Sequence, residues 1–419
     1  MSIKRIRNGA LILLIIIISG SVGFRQGRLI ERRSNENIAI TASGPAQVDG
    51  VDMTLFWDVW NRLNKSYLDR KAIKVKEMVY GAIKGMTAAL DDPYTAFLPP
   101  SDNNRSKEDL SGEFGGVGIQ LGFVDKTLGV IAPLSNTPAE KAGIKSGDLI
   151  LKIKDEAKGI NRETQGISLA EAMDLIRGKK GSEVILTIVR QNEGEPKEVK
   201  LVRELINIAS VELKWVSTSP GVSKGDGDEG KVAWMRVYRF GDKTKQEWER
   251  AVEEVLLTSK EKQFRGIVLD LRNNPGGYLR GAVELASDFV KDGVVVQQEG
   301  RDKMEKFEVE GGVRLNKMPL VVLVNQGSAS ASEILAGALR ERLGVKVVGE
   351  KTFGKGTVQE AQELADGAGL HVTIARWLLP SGKNIHGSGL MPDVEIKYEP
   401  KENDPEFDNQ LNKAIEMLR

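Results

Sequence analysis

The stretch NQGSASASEILAGAL, residues 325–339, carries three serines at alternate positions, and a serine hydroxyl is a candidate nucleophile. The apolar run PLVVLV precedes it and a helical pattern follows, so the serines lie where a strand gives way to a helix. Unpaired N–H groups at a helix N-terminus favour developing negative charge. Ser330 and Glu333 also fit a capping box, which is far commoner than a catalytic serine. The stretch alone leaves both interpretations open.

A serine nucleophile needs a base, and the chain offers few conventional ones. It contains 2 histidines and no cysteine, which excludes thiol nucleophiles and cysteine-ligated metals and argues against a histidine-rich metal site. A lysine can replace histidine only if burial lowers its pKa towards neutrality. Lys355 fits this requirement because the flanking Gly354 and Gly356 let the backbone pack tightly after an apolar strand. A surface hairpin lysine is the alternative.

The segment LDLRNNPGGYL, residues 269–279, is a third candidate, in which an apolar strand ends in a glycine-rich turn. Its glycine N–H groups could approach a substrate carbonyl closely, although an ordinary turn has the same pattern. Active sites of open α/β sheets lie beyond the carboxyl ends of the strands. We therefore expect this turn, the serine turn and the Lys355 segment to converge.

The elements that position these residues follow from the patterns along the chain. Residues 205–419 alternate strand-like and helical patterns, which predicts an α/β core with a largely parallel sheet and a C-terminal helix. Residues 112–204 form a separate β-rich unit. Residues 51–111 show two helical patterns, which DDPYTAFLPP ends with turn residues. Residues 34–50 are small and polar, as in a linker.

The N-terminus predicts export. A basic flank precedes an almost uncharged stretch, residues 9–24, that is close to the roughly 20 residues needed to span a bilayer. We expect residues 1–33 to be an uncleaved membrane anchor, with a cleaved signal peptide as the alternative. The net charge of +1 gives no electrostatic footprint for nucleic acid.

Taken together, the motifs DDPYTAFLPP, LDLRNNPGG, GSASASEILAGAL and GEKTFGKGTVQ closely resemble the C-terminal processing peptidases, also called tail-specific proteases. The resemblance implies a serine endopeptidase in which Ser330 is the nucleophile and Lys355 the base. Gln359 would position the lysine. The oxyanion hole would use the backbone N–H groups of Gly277 and Ala331. No metal or other cofactor is implied.

Residues 112–204 resemble a PDZ domain in the circularly permuted bacterial arrangement. Its carboxylate-binding loop would be the segment GGVGI, formed by Gly115, Gly116, Val117, Gly118 and Ile119. Successive backbone N–H groups form an anion nest in such a loop, and the following edge strand pairs with the peptide. The expected partners are protein substrates with free, apolar C-termini. A glycine-rich turn without a ligand is the alternative.

The resemblance covers the chain from about residue 56 to its end and completes the prediction. The fold class is a multi-domain α/β protein, with an N-terminal helical segment and a PDZ-like domain before a mixed, largely parallel peptidase core. We expect a homodimer through the N-terminal helices, on the extracytoplasmic side of a bacterial cell envelope. It would be anchored to the cytoplasmic membrane or released by signal cleavage. A non-catalytic or latent scaffold, which tethers exported proteins through the PDZ-like unit, is the alternative function.

Overall fold

The structure, a computed structural model of the 419-residue chain, describes residues 47–48, 50–124, 127–190, 194–218, 230–401, 404 and 407–419. The predicted anchor, residues 1–33, lies outside the described residues. Among the helices that are described, none has both the length and the apolar character needed to cross a membrane. The chain divides into one unit that ends at Met78 and a second that runs from Val79 to Arg419.

The described part of the chain contains both helices and strands throughout. The α-helices are α1 (Thr54–Ser66), α2 (Val75–Ala88), α3 (Pro100–Ser111), α4 (Pro138–Lys141), α5 (Leu169–Ile176), α6 (Thr244–Thr258), α7 (Leu279–Ser287), α8 (Ala331–Leu343) and α9 (Asn409–Glu416). The first strands are β1 (Gln47–Val48), β2 (Val51–Asp52), β3 (Ala96–Leu98), β4 (Glu113–Gly116), β5 (Ile119–Val124), β6 (Thr127–Pro133), β7 (Leu149–Asp155), β8 (Ile160–Glu163), β9 (Glu183–Val189), β10 (Lys197–Val202) and β11 (Glu204–Asn207). The remaining strands are β12 (Val211–Ser217), β13 (Lys231–Val237), β14 (Phe264–Asp270), β15 (Val294–Gly300), β16 (Met304–Glu308), β17 (Leu320–Val324), β18 (Lys346–Gly349), β19 (Thr357–Glu363), β20 (Gly369–Leu378) and β21 (Val394–Glu395).

Helix α1 of the first unit carries an exposed apolar stripe. Leu55, Phe56, Val59 and Leu63 recur at helical spacing, and each is more than a third exposed. The helix as described buries none of its residues. The predicted homodimer through the N-terminal helices stays a prediction.

The β-rich module within residues 112–204 is built around one antiparallel sheet. Its strand order is β10-β9-β7-β6-β5, with β8 paired to β7. Helix α5 contacts β5 and β7, and Leu128, Ile150, Leu186 and Ile188 are fully buried in the module's core. Strand β4 pairs with β11, which joins the two ends of the module. Among the described strands, β5 pairs only with β6, so no described strand covers its other edge.

The central sheet of the second unit has the order β12-β13-β14-β17-β18-β21. Strand β12 is antiparallel to β13, and the other neighbours are parallel. Along β14 the side chains alternate: Ile267 and Leu269 pack in the core with α6, α7 and α8, whereas Val268 packs towards α9. The predicted α/β core with a largely parallel sheet is therefore confirmed.

A second sheet, with the order β16-β15-β20-β19, is antiparallel. Strand β3 also pairs with β20, through Ala96 opposite His371 and Phe97 opposite Leu370. The sequence predicted only turn residues in the surrounding DDPYTAFLPP, because three residues are too few to show a strand period. Phe97 is buried, and its pairing places this segment beside the loop that carries Lys355.

Candidate active site

The three alternating serines have different environments. Ser328 and Ser332 are fully buried, and their hydroxyls donate to the carbonyl oxygens of Leu271 at 2.8 Å and Asn274 at 2.6 Å. Both therefore fasten the serine turn to the LDLRNNPGG turn. Ser330 is only partly buried and lines a cavity of about 1130 Å³. Burial and hydrogen bonding thus leave Ser330 as the serine that a substrate can reach.

Ser330 also has an unusual backbone conformation. It lies at the N-cap of α8 with φ 56° and ψ −115°, in a region that non-glycine residues seldom adopt. Such a conformation costs about 1–3 kcal/mol and persists only where the surrounding structure enforces it. A strained strand-to-helix turn is also how α/β enzymes expose a nucleophilic serine.

The glycine-rich turn lies directly against Ser330. A Cβ atom on Gly276 would lie 2.8 Å from the Ser330 Cβ and 3.1 Å from the backbone nitrogen of Ala331. Only glycine therefore fits between the two segments. The backbone N–H groups of this turn and of the first turn of α8 are close neighbours for the same reason.

Phe240 fixes the direction of the Gly277 N–H group. The Phe240 N–H donates to the Gly276 carbonyl at 2.9 Å, and the Phe240 carbonyl accepts from the Tyr278 N–H at 2.8 Å. The two hydrogen bonds form a parallel β-bridge between Phe240 and Gly277. In this geometry the N–H of Gly277 itself points away from Phe240. Within the described hydrogen bonds, neither this N–H nor that of Ala331 has an acceptor. Two free donors beside a serine form an arrangement suited to an oxyanion.

A buried ion pair holds the strand that leads into this turn. Arg272 donates from Nε and Nη2 to both oxygens of Asp270, and its Nη1 donates to Asp408 at the start of α9. Asn274 adds a bond from Nδ2 to the Val237 carbonyl, and its Oδ1 accepts from the Gly276 N–H. The polar residues of LDLRNNPGG thus have structural roles that no pattern in the sequence indicated.

Lys355 lies in the loop between β18 and β19 and lines the same cavity as Ser330. Its Nζ lies 5.0 Å from the centroid of the Tyr94 ring. Burial lowers the pKa of Lys355 below the usual lysine value, and the charge of Asp92 partly opposes this effect. A lysine with a lowered pKa can be neutral, and hence a base, at a moderate pH.

The carboxylate of Glu333 connects the serine turn to the lysine loop. One oxygen accepts from the N–H groups of Ser330 at 2.8 Å and Lys355 at 3.0 Å. The other accepts from the Gly354 N–H at 2.7 Å and from the Thr352 hydroxyl. Glu333 is fully buried, so this clamp is shielded from water. The capping-box pattern predicted the Ser330 contact, but no sequence signal indicated the other three.

Replacing Glu333 with alanine should both destabilise the protein and lower its activity. The change leaves four donors without their acceptor, and each buried unsatisfied group costs about 1–3 kcal/mol. Allowing for relaxation, we expect the free energy of unfolding in urea to fall by about 3 kcal/mol. The control is Glu341→Ala on the same helix, where an exposed carboxylate accepts two bonds from Ser381. Equal losses in the two variants would contradict a special role for Glu333.

Gln359 lies in the same cavity but is bonded to threonines. Its Nε2 donates to the hydroxyls of Thr357 and Thr373, each at 3.0 Å. Among the described hydrogen bonds, none is accepted by its side-chain oxygen. The predicted role of Gln359 in positioning Lys355 stays a prediction, since the described contacts of the amide run through Thr357 and Thr373.

The cavity continues from Ser330 to α3, which is the helix that joins β3 to the β-rich module. The lining also includes Asp102, Arg105 and Asp109 of α3 together with Arg239. Its apolar side chains are Leu98, Leu279, Ile334, Val358 and Trp377. The cavity therefore offers both charged and apolar surfaces that an extended peptide could contact. No group of three or more histidine or acidic side chains in the described part of the chain is placed to hold a metal ion.

The predicted carboxylate-binding loop has a defined but partly buried structure. Gly116, Val117 and Gly118 are buried, and the Val117 side chain belongs to the module's core. Gly118 has φ +75°, and a Cβ there would lie 2.3 Å from Thr137, so glycine is required. Gly115 must also be glycine, because the Gly178 carbonyl oxygen occupies the space that a Cβ atom would take. Ile119, which is partly exposed, begins the open edge strand β5.

Two family descriptions match the chain. "Peptidase family S41" matches residues 231–396, and "PDZ domain" matches residues 106–189. Among curated proteins, a carboxyl-terminal-processing protease of a Synechocystis species is 35% identical over 389 residues, which is 88% of this chain and 87% of that protein. A carboxyl-terminal-processing protease of a Picosynechococcus species is 35% identical over 423 residues, which is 99% of this chain and 96% of that protein.

Solved structures show the same similarity. A photosystem II D1 C-terminal processing protease is 30% identical, with a TM-score of 0.50 over 82% of this chain and 93% of that chain. An S41 protease structure from Bacteroides fragilis is 16% identical, with a TM-score of 0.53 over 85% of this chain and 96% of that chain. The second comparison supports the fold alone.

Proposed function

Since the chain belongs to the carboxyl-terminal-processing proteases of peptidase family S41, and is thus a serine-type peptidase with a PDZ domain, we propose that it is an endopeptidase with a Ser330–Lys355 dyad. The observation that carries the proposal is that Ser330, Lys355 and Gly277 line one cavity. Ser328 and Ser332 are buried and bonded to backbone carbonyls. Gln359 would orient the lysine from the same cavity.

The reaction would proceed through an acyl-enzyme. The neutral amine of Lys355 takes the hydroxyl proton as the Ser330 Oγ attacks the peptide carbonyl carbon. The N–H groups of Gly277 and Ala331 stabilise the resulting oxyanion. The intermediate collapses, the C–N bond breaks, and the Lys355 ammonium gives its proton to the leaving amine. Water, deprotonated by Lys355, then attacks the ester carbonyl carbon. The bond from this carbon to Ser330 Oγ breaks, the Lys355 ammonium returns its proton to Oγ, and the carboxylic acid product is released.

The PDZ domain would capture the substrate's C-terminus. Strand β5 has an open edge, and it follows the glycine loop that would bind a carboxylate. A peptide added to β5 would lie beside α5. The apolar character of Ile119 at the start of β5 favours an apolar last residue. We also propose, from the apolar stretch within residues 1–33, that the enzyme acts on exported proteins.

The test is hydrolysis of an unfolded protein that ends in an apolar residue, by the full chain, with the products identified by mass spectrometry. We expect internal cleavage that a serine-directed acylating reagent abolishes. Amidation of the substrate's C-terminus should raise KM at least about 10-fold with little change in kcat, because it removes the charge that the nest binds. Equal KM values would contradict capture by the PDZ domain. If no substrate is cleaved but the free C-terminus still binds, the scaffold alternative is supported instead.

A further inference from the structure

The segment DDPYTAFL, residues 91–98, lies outside the span that matches the peptidase family, yet it forms part of the wall around Lys355. An Asx turn shapes its beginning: the Asp92 carboxylate accepts from the Tyr94 N–H at 3.0 Å and from the Thr95 hydroxyl at 2.7 Å. Strand β3 fastens its end to β20. The segment is thus held rigidly at both ends.

A hydrogen-bonded network connects Asp92 to the glutamine of the site. The Thr95 hydroxyl, which donates to Asp92, accepts from the Thr373 N–H at 3.0 Å. The Thr373 hydroxyl oxygen accepts from Gln359 Nε2 at 3.0 Å. Asp92 is therefore linked to Gln359 through Thr95 and Thr373, from an element that precedes the PDZ domain.

Tyr94 contributes the face of its ring. Lys355 Nζ lies 5.0 Å from the ring centroid, which is within the range of a cation–π interaction. The ring of His386 packs edge-on against Tyr94, with centroids 6.1 Å apart. An aromatic face attracts an ammonium but not a neutral amine, so this contact strengthens when Lys355 accepts a proton.

The titratable groups around Lys355 come from several elements. They are Asp92 and Tyr94 on this segment, Glu333 on α8, His371 on β20 and His386 in the loop after β20. Although burial raises the pKa of Asp92, hydrogen bonds from Thr373 and Thr95 hold it below its usual value, so Asp92 is ionised. Burial and the charge of Lys355 lower the pKa of His371, which is therefore neutral at neutral pH. Glu333 is engaged by its four donors.

We propose that Asp92 and Tyr94 are positioning residues for the general base, which hold the Lys355 side chain in place and stabilise its ammonium as it takes the proton from Ser330. The proposal rests on the proposed function, in which Lys355 is the base. Burial makes the neutral amine available, while Asp92 and Tyr94 keep it basic enough to accept a proton.

The first test is the pH dependence of kcat/KM for Tyr94→Leu and Tyr94→Phe in the full chain. Leucine removes the ring, so the acid limb of the profile should move to lower pH by about half a unit to one unit. The maximal kcat should fall about 3- to 10-fold, because the ammonium loses its ring contact in the transition state. Phenylalanine keeps the face and should leave the acid limb close to that of the unmodified protein. A limb that moves in neither variant, or equally in both, overturns the role of the ring.

The second test is Asp92→Asn with Asp91→Asn as its matched control. Asparagine at 92 keeps an acceptor oxygen but removes the charge, so the acid limb should again move to lower pH, by about one unit. Asp91 is exposed and has φ 54°, which asparagine tolerates, so its replacement should leave the profile unchanged. Identical profiles for the two variants overturn the role of Asp92.

The outcome can be separated from that of the proposed function. If Lys355→Met retains activity, Lys355 is not the base and both proposals fail. If Lys355→Met is inactive while the Tyr94 and Asp92 variants keep the unmodified pH profile, only the present inference fails. Unfolding midpoints in urea, measured for each variant, identify a variant whose loss of activity comes from loss of folding.

Discussion

Replacing Ser330 with alanine, or Lys355 with methionine, should reduce the rate of peptide hydrolysis by at least about 10⁴-fold, measured as kcat on an unfolded protein substrate. The first change removes the nucleophile, and the second removes the base that deprotonates it. Methionine matches the length and burial of the lysine side chain without its amine. Because the two residues act as a unit, the double variant should be no less active than either single variant.

The matched control for the lysine is Lys351→Met, since Lys351 lies four residues earlier on the same loop and is exposed. We expect its kcat to stay within about 2-fold of the unmodified value. Arginine at position 355 should be as inactive as methionine, because a guanidinium stays protonated. Substantial activity in Lys355→Met or Lys355→Arg would contradict the dyad.

Lys355 should also lower the free energy of unfolding at neutral pH. This effect can be measured independently of catalysis. Burial lowers the pKa of Lys355 in the folded protein below the unfolded value of 10.5, so the unfolded chain binds more protons between the two pKa values. The contribution of Lys355 to stability therefore rises with pH through that window. Lys355→Met should be more stable than the unmodified protein at pH 7, and this advantage should shrink as the pH approaches 10.5.

The general architecture was predictable because its patterns are long. The alternation of strands and helices over residues 205–419 specified a largely parallel sheet, and the carboxyl ends of β14 and β17 do carry the glycine and serine turns. The short strand β3 escaped prediction because its partner β20 lies more than 270 residues away in the sequence. Only the pairing of β3 with β20 in the folded chain places DDPYTAFLPP beside the site.

The sequence could place the serines at a turn but could not choose among them by spacing. Burial and hydrogen bonds distinguish them: Ser328 and Ser332 fasten the turn to Leu271 and Asn274, which leaves Ser330 at the cavity. Without the family resemblance, this distinction would require the tertiary structure. In the same way Glu333 fits a local capping motif, while its contacts with the lysine loop are long-range.

Gly277→Ala should lower kcat by about 10²- to 10³-fold with little change in KM, the loss observed when one oxyanion-hole donor is removed. Gly277 has φ +131°, and a Cβ there would lie 2.0 Å from the Phe240 carbonyl oxygen. Since that oxygen belongs to the backbone bridge that aims the Gly277 N–H, the turn must move and the N–H must leave its place. The measurement is kcat and KM on a peptide substrate, together with an unfolding curve in urea.

The control for Gly277→Ala must separate backbone strain from loss of the donor. Gly311 has φ +106° with open space around its Cβ position, so Gly311→Ala introduces a similar strain without a clash. We expect Gly311→Ala to lower the free energy of unfolding by about 1 kcal/mol and to leave kcat unchanged. If Gly277→Ala loses stability but keeps its kcat, the N–H of Gly277 does not stabilise the transition state, and the oxyanion would have to rely on Ala331 alone.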